Sequence, residues 1–263
     1  MKISVIGAGA MGGAMVQGMI KGKTFANTDI TVADPSAKAL EQFDGTGTKI
    51  TTDNAQAATT SDIVAVVVKP WLVESVLKGI KDNLDYSRQL LIVVAAGVSS
   101  AQIREWLEKG DGTMIPLFLV IPNTAIAVMN SMTFVVPVGA SEEQTAIVKA
   151  LFDEMGSTLV TEERLLAAGT TLASCGIAYA LRYIRSSMEG GVELGIRADD
   201  AKHIVMQTLR GAVDVLAASD AHPEAEIDRV TTPGGLTIRG LNAMEAAGFT
   251  HSVIEGLRAS TKR

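Results

Sequence analysis

The chain has 263 residues, 47% of them apolar and 20% charged, a balance that belongs to an ordinary globular protein and excludes a disordered one. Its net charge of −6 excludes the basic face that nucleic-acid binding needs. Cys175 is the only cysteine, so no intrachain disulfide forms, and a reducing compartment, the cytoplasm by default, is expected.

The first predicted element is an apolar strand at residues 2–6. It runs into Gly7-Ala8-Gly9-Ala10-Met11-Gly12, and a helix-forming segment covers residues 14–21. With glycine at 25 positions, the G-x-G-x-x-G spacing carries little alone. Its setting carries the reading: Gly7 serves a tight turn, Gly9 leaves room for a pyrophosphate, and Gly12 allows close helix-to-strand packing. The helix start offers backbone N–H groups and a positive dipole end to phosphates. Residues 29–33 form a second strand, and Asp34 closes it 22 residues after Gly12, where a dinucleotide fold places the acid for the adenosine ribose. A glycine turn that binds nothing and a signal peptide are the alternatives; the three spaced glycines fit a nucleotide loop better.

Short apolar runs then alternate with helical patterns, as in a parallel sheet covered by helices. A helix is predicted at 37–43, a short strand at 49–50 and a helix at 55–59. Residues 62–68 are a β-branched run without polar alternation, a strand buried on both faces. It stops at Lys69-Pro70. The run at 90–95 stops at Ala96-Gly97, and the run at 118–121 stops at Pro122-Asn123-Thr124. In open α/β sheets the ligand lies beyond the carboxyl ends of the strands. Asp34, Lys69, Pro70, Ala95, Ala96, Gly97 and Asn123 are therefore expected on the rim of one crevice. The longest apolar runs are strand-length, short of the roughly 18 residues of a membrane span.

A further strand at 132–138, a helix at 142–155 and a strand at 159–160 complete a first domain, residues 1–160. From 161 to 263 the pattern is helical, with long amphipathic segments at 165–194 and 199–218. Both segments carry more than one apolar stripe (Leu172, Ile177, Leu181; Ile204, Val213, Leu216), so burial against a second copy is expected. His203, His222 and His251 lack metal-ligand spacing, and no metal is expected.

The second informative stretch is Val230-Thr231-Thr232-Pro233-Gly234-Gly235-Leu236-Thr237-Ile238, a turn leading into a new helix. A helix start is a natural carboxylate seat, and a nearby hydroxyl donates one hydrogen bond. A plain Thr-Pro-Gly cap is the competing reading.

The run V-T-T-P-G-G-L-T-I-x-G-L-x-A-M-E-x-x-G-F resembles the signature region of pyrroline-5-carboxylate reductases. G-A-G-A-M-G, Asn54, V-K-P at Val68–Lys69–Pro70, A-A-G at 95–97, P-N-T at 122–124, G-x-A-Y at 176–179 and G-V-E-L-G-I at 191–196 agree in order. The resemblance implies reduction of 1-pyrroline-5-carboxylate to L-proline by a nicotinamide cofactor. It implies a Rossmann-type parallel sheet followed by an all-helical dimerisation domain, in a homodimer or a larger ring of dimers. By position, Thr237 resembles the threonine that hydrogen-bonds the ring nitrogen, and Thr232, Gly234, Gly235 and Leu236 the loop that holds the substrate carboxylate. Gly7, Gly9, Ala10, Met11, Gly12, Asp34, Pro35, Asn54, Val68, Lys69, Pro70, Ala95, Ala96, Gly97 and Asn123 match the cofactor pocket.

The chain departs from the family pattern in four places. Ala173–Ile177 lacks the usual proline and one serine, Leu119 stands where an arginine is common, and Ala125 replaces a proline; Leu236 fills a slot that often holds threonine or alanine. Another cyclic imine as substrate, or a non-catalytic NAD(P)-binding protein, are the readings these departures leave open. A β-hydroxyacid-dehydrogenase-like enzyme would carry a lysine in the first long helix, and residues 165–194 contain none. A 2′-phosphate would sit beside the Asp34 charge with Pro35 in place of a cation, so NADH is favoured over NADPH.

Overall fold

In the structure, a computed structural model that describes residues 1–261, the apolar runs of the first half assemble into one sheet of eight strands. These are β1 (Ile3–Ile6), β2 (Ile30–Ala33), β3 (Lys49–Thr51), β4 (Ile63–Val66), β5 (Leu90–Val93), β6 (Leu117–Ile121), β7 (Ser131–Val138) and β8 (Gly156–Val160), in spatial order 3-2-1-4-5-6-7-8. Strands β1 to β6 are parallel. β7 runs antiparallel to β6, which a nine-residue return allows, and β8 is parallel to β7. β1, β4, β5 and β6 are buried at every position, because helices cover both faces.

Side-chain alternation divides the core in two. Ile3, Val5, Ile30, Val32, Ala65 and Ile92 point to the face covered by α1 (Ala10–Lys21), α2 (Ala37–Leu40) and, further along the chain, Leu151 and Phe152. Ile6, Val64, Val66, Leu91 and Val93 point to the face covered by α3 (Asn54–Thr59), α4 (Val73–Ile80) and α5 (Ser100–Leu107). α6 (Glu142–Asp153) starts with a capping box from Ser141 and Gln144, and α5 with one from Ser99 and Gln102. α4 and α5 are not among the helices read from the sequence.

The predicted helix at 165–194 is not one regular helix. A 3₁₀ turn at Glu163–Leu165 leads into α7 (Leu166–Gly169) and a π-helical turn at Thr170–Cys175 before α8 (Gly176–Glu193) begins. The first compact unit runs from Met1 to Ser174, and the second begins at Cys175. Gly169 lies where any side chain would enter the ring of Phe134, which presses α7 onto the sheet. The run Glu163–Glu193 as a whole has the length and apolar composition to cross a membrane, a feature that contiguous apolar stretches do not reveal.

The second unit is all helical among its described residues: α8, α9 (Ala198–Ser219), α10 (Pro223–Arg229), α11 (Leu236–Ala246) and α12 (Phe249–Thr261). Tyr183 meets Phe249 edge to face at 6.4 Å, and the Tyr179 hydroxyl donates to the Gly256 carbonyl at 3.3 Å, which ties α8 to α12. Of its described residues only Ala201 is fully buried, and Leu181, Val213 and Val215 are more than half exposed. Such a unit holds too little interior to be stable by itself.

Candidate active site

The parallel register places Ile6, Ala33, Val66 and Val93 in one row across the sheet, so the segments that follow them emerge along a single edge. β1 lies between β2 and β4, and the chain reverses its direction of travel across the sheet there. A crevice at such a switch point is where an open α/β sheet takes its ligand.

Gly7 fills this point with φ +111°, and a Cβ on it would fall well inside 3.0 Å of the Val67 carbonyl. A Cβ on Gly12 would overlap the Gly7 carbonyl in the same way, so α1 can approach β1 only through glycine. Gly9 is different. It is exposed, and an added Cβ would meet nothing within 4 Å. It is also the N-cap of α1, where no side chain caps the helix and the first ladder bond is Gly13 N–H to the Gly9 carbonyl at 2.7 Å. The N–H groups of Ala10, Met11 and Gly12 therefore stand outside the helical ladder at the positive end of the dipole.

Asp34 lies beside this loop, half-buried. Its Oδ2 accepts from Ala8 N–H at 2.8 Å and its Oδ1 from Ser36 N–H at 2.9 Å, so the carboxylate is fixed by backbone before any ligand arrives. Pro35 is exposed. Gln42 completes the clasp by donating from Nε2 to the Ala8 carbonyl at 3.0 Å. Sequence reading missed Gln42: it follows a four-residue helix on a 3₁₀ turn, and no spacing marks such a glutamine.

Asn54 opens α3, after Asp53 has capped that helix through Ala55 and Gln56 N–H. The Asn54 Oδ1 is buried without a hydrogen-bond partner. A buried acceptor without a partner is costly. The open backbone at Gly9, the uncapped start of α1 and the orphan Asn54 together fit a dinucleotide. The first would give space, the second would suit phosphate charge, and the third would accept from a hydroxyl or amino group.

The other predicted rim residues also lie along this edge. Val68 and Lys69 follow β4, and Pro70 opens a 3₁₀ turn closed by Leu72 N–H on the Lys69 carbonyl at 2.8 Å. Ala95 and Ala96 are half-buried past β5, and Gly97 takes φ +78°. Asn123 is 4% exposed and its side chain is already engaged: Oδ1 accepts from Ala125 N–H at 3.0 Å, and Nδ2 donates to the Ala173 carbonyl at 3.4 Å. Ser174 Oγ donates to the Pro122 carbonyl at 2.9 Å, and Glu163 accepts from Ser100 N–H at 2.9 Å and Ser100 Oγ at 2.5 Å. The stretch 163–174 is thus sewn to the loops after β5 and β6. No local signal in the sequence marks these pairings, which span 50 to 63 residues.

The second predicted cluster lies on the helical unit. Thr232-Pro233-Gly234-Gly235 is a type II turn: Gly235 N–H donates to the Thr232 carbonyl at 2.9 Å, proline sets the first corner, and Gly234 takes φ +70° at the second. A Cβ on Gly235 would overlap the Thr232 hydroxyl. Gly235 is the N-cap of α11, again with no side-chain cap, and Leu236 and Thr237 occupy its first two positions, both exposed. The N–H groups of Leu236, Thr237 and Ile238 stand outside the helical ladder at the start of α11, and Thr232 and Thr237 bring hydroxyls to the same stretch. Among the described residues no three His, Cys, Asp or Glu side chains gather as a metal site would require.

Comparison with known proteins identifies the family of the chain. Residues 2–97 match the family described as NADP oxidoreductase coenzyme F420-dependent, and residues 163–263 match pyrroline-5-carboxylate reductase dimerisation. Pyrroline-5-carboxylate reductase 1 of Dictyostelium discoideum is 34% identical over 99% of this chain, which spans only about half (49%) of that protein's length. Pyrroline-5-carboxylate reductase 2 of the same organism is 32% identical, with 99% of this chain and 91% of the relative covered. The crystal structure of Plasmodium falciparum pyrroline carboxylate reductase with NADP bound superposes with a TM-score of 0.89 at 25% identity, covering 99% of this chain and 95% of the other. A dimerisation-family match over residues 163–263 and relatives above 30% identity along the whole chain lead to one assignment: the chain belongs to the pyrroline-5-carboxylate reductase family.

Proposed function

We propose that this chain reduces the C=N bond of 1-pyrroline-5-carboxylate to give L-proline. The observation that carries the reading is a chemical pairing within one chain. One uncapped helix start, at Gly9, is open for a diphosphate, and another, at Gly235, follows a turn shaped for a small carboxylate. Bound at the first, a reduced nicotinamide dinucleotide supplies the hydride. The residues of the chain do the rest by position. The N–H groups after Gly235 hold the carboxylate, and the Thr237 hydroxyl hydrogen-bonds the ring nitrogen. A cyclic imine is basic enough to be protonated near neutrality, so the carbon is electrophilic without a strong protein acid. The nitrogen keeps that proton as the carbon receives hydride, and the product is a secondary amine.

NADH is the preferred cofactor in this proposal. Both oxygens of Asp34 are held by backbone amides, so its charge cannot swing away from a 2′-phosphate, and Pro35 brings no cation to offset it. The apolar surface of the helical unit is assigned to a second copy of the chain. An interior of one alanine and exposed Leu181 and Val213 support a homodimer, the two-fold being the commonest closure. The apolar run Glu163–Glu193 is covered there rather than by lipid, since Arg182, Arg185 and Glu189 lie along it. A single free thiol suits the cytoplasm. Proline formation by the purified protein from pyrroline-5-carboxylate and NADH tests the activity. No product with either NADH or NADPH removes it, and a one-chain mass in solution removes the dimer.

A further inference from the structure

The side-chain amide of Gln42 is engaged entirely with backbone. Its Nε2 donates to the Ala8 carbonyl at 3.0 Å and to the Ala39 carbonyl at 2.7 Å, which uses both of its hydrogens. Residue 42 is itself exposed, but Phe43 beside it is 2% exposed in the core and fixes the 3₁₀ turn Glu41–Phe43 that carries the glutamine. The first helix makes room for this arrangement. Gly13 is buried just beyond the three glycines of the loop, and a Cβ there would come within 2.8 Å of Gln42 Oε1, with the rest of the amide as its next contacts. A fourth glycine, which the G-x-G-x-x-G spacing does not require, is thus a notch for this side chain.

The carbonyl that Gln42 holds belongs to the Ala8–Gly9 peptide. That peptide is trans and planar, so its C=O and its N–H point in opposite directions. With the oxygen tied to Gln42, the Gly9 N–H is turned away from it. Nothing in Gly9 itself resists the reverse orientation. A flip of the peptide carries φ of Gly9 from −70° to about +110°, which glycine accepts and a residue with a side chain does not. Asp34 does not prevent the flip, because its bond to Ala8 N–H fixes the preceding peptide. We propose that Gln42 is a positioning residue for the dinucleotide: it locks the Ala8–Gly9 peptide with the N–H towards the diphosphate and the oxygen away, and Gly13 is glycine in order to seat it. This role presupposes the dinucleotide reading given above and adds to it a residue that does not touch the cofactor. An N–H facing a phosphate donates a charge-assisted hydrogen bond, whereas a carbonyl oxygen in its place repels the charge.

Calorimetric titration of NADH into the wild type, Gln42→Met, Gly13→Ala and the double variant tests the proposal. Methionine keeps the length of the side chain and removes the donor. Kd for NADH is expected to rise about tenfold in Gln42→Met, as for loss of one hydrogen bond to a charged group. KM for NADH should rise in step, while kcat at saturating NADH and KM for pyrroline-5-carboxylate stay within about twofold of wild type. Gly13→Ala keeps the glutamine and pushes its amide off the Ala8 carbonyl. Alanine suits a helix better than glycine, so the free variant should melt no lower than wild type while its Kd rises about threefold. In the double variant alanine should add nothing to the effect of methionine, because both act through one hydrogen bond. A Gln42→Met protein that melts lower yet binds NADH with wild-type affinity has lost only a structural contact and overturns the proposal. Unchanged affinity in Gly13→Ala, or losses that multiply in the double variant, overturn it as well, and all three results leave the reductase reading standing. A wild-type protein that binds neither NADH nor NADPH overturns the dinucleotide reading itself.

Discussion

The three glycines of the first loop make separable demands, and Gly9→Ala isolates the one that concerns the ligand. Gly9 has φ −70° and nothing within 4 Å of an added Cβ, so alanine fits the free protein. As an N-cap, alanine is worse than glycine by about 0.5–1 kcal/mol, which in a protein of this size lowers Tm by about 1–4 °C. Dinucleotide binding should suffer far more. A methyl group in front of the α1 N-terminus keeps a diphosphate from the N–H groups of Ala10 and Met11, and hydrogen bonds to a charged group are worth about 1.5–3 kcal/mol each. Loss of one or two predicts a rise in Kd of roughly 10- to 10,000-fold. Gly12→Ala is the contrast, because its Cβ would collide with the Gly7 carbonyl in the free protein. It should lose thermal stability with or without ligand. Calorimetric titration with NADH, paired with thermal melting, reads both effects. If Gly9→Ala melts like wild type and binds NADH with wild-type affinity, the phosphate does not sit on that helix start and the crevice has been misread.

Thr237→Ala should lower turnover of pyrroline-5-carboxylate about 10- to 100-fold while NADH affinity stays within twofold, and Thr237→Ser should recover most of the loss; unchanged steady-state kinetics would remove the hydroxyl from the mechanism. The ratio of kcat/KM for NADH to that for NADPH should exceed one and fall in Asp34→Asn, so a wild-type enzyme strongly favouring NADPH would contradict the role given to Asp34. Burial pushes the phenol of Tyr86 up to about 12, aided by the nearby charges of Asp82 and Asp111. The folded state thus holds this proton more tightly than the unfolded chain, whose tyrosine titrates near 10. Stability from Tyr86 is complete below pH 10 and declines as pH rises towards 12. Thermal melts between pH 9 and 11 should show a steeper fall for wild type than for Tyr86→Phe.

Much of the fold was legible because parallel strands buried on both faces leave unmixed apolar runs. The runs near β4, β5 and β6 could be located from composition alone. The cofactor loop was legible for a related reason: backbone that approaches a phosphate or another backbone tolerates glycine only, and three such demands at set spacing leave a mark. The Thr-Pro-Gly-Gly turn was readable because a type II turn favours proline at its first corner and requires positive φ at its second. Helices α4 and α5 were missed because each is only two turns long, although both carry a helical apolar face, Val73, Leu77 and Ile80 in α4 and Ile103 and Leu107 in α5.

What the chain order determines by itself, then, is local: which residues must be glycine, which runs must be buried, and where a helix begins without a cap. Tertiary structure alone decided that Asp34 and Gln42 close on opposite ends of the Ala8 peptide, that Asn123 spends its side chain on Ala125 and Ala173, and that Asn54 keeps a buried acceptor unpaired. It also decided that Trp71 stays in water. Those outcomes depend on which side chains arrive from residues far along the chain, and hydrogen bonding and burial are settled only after the strands have chosen their neighbours.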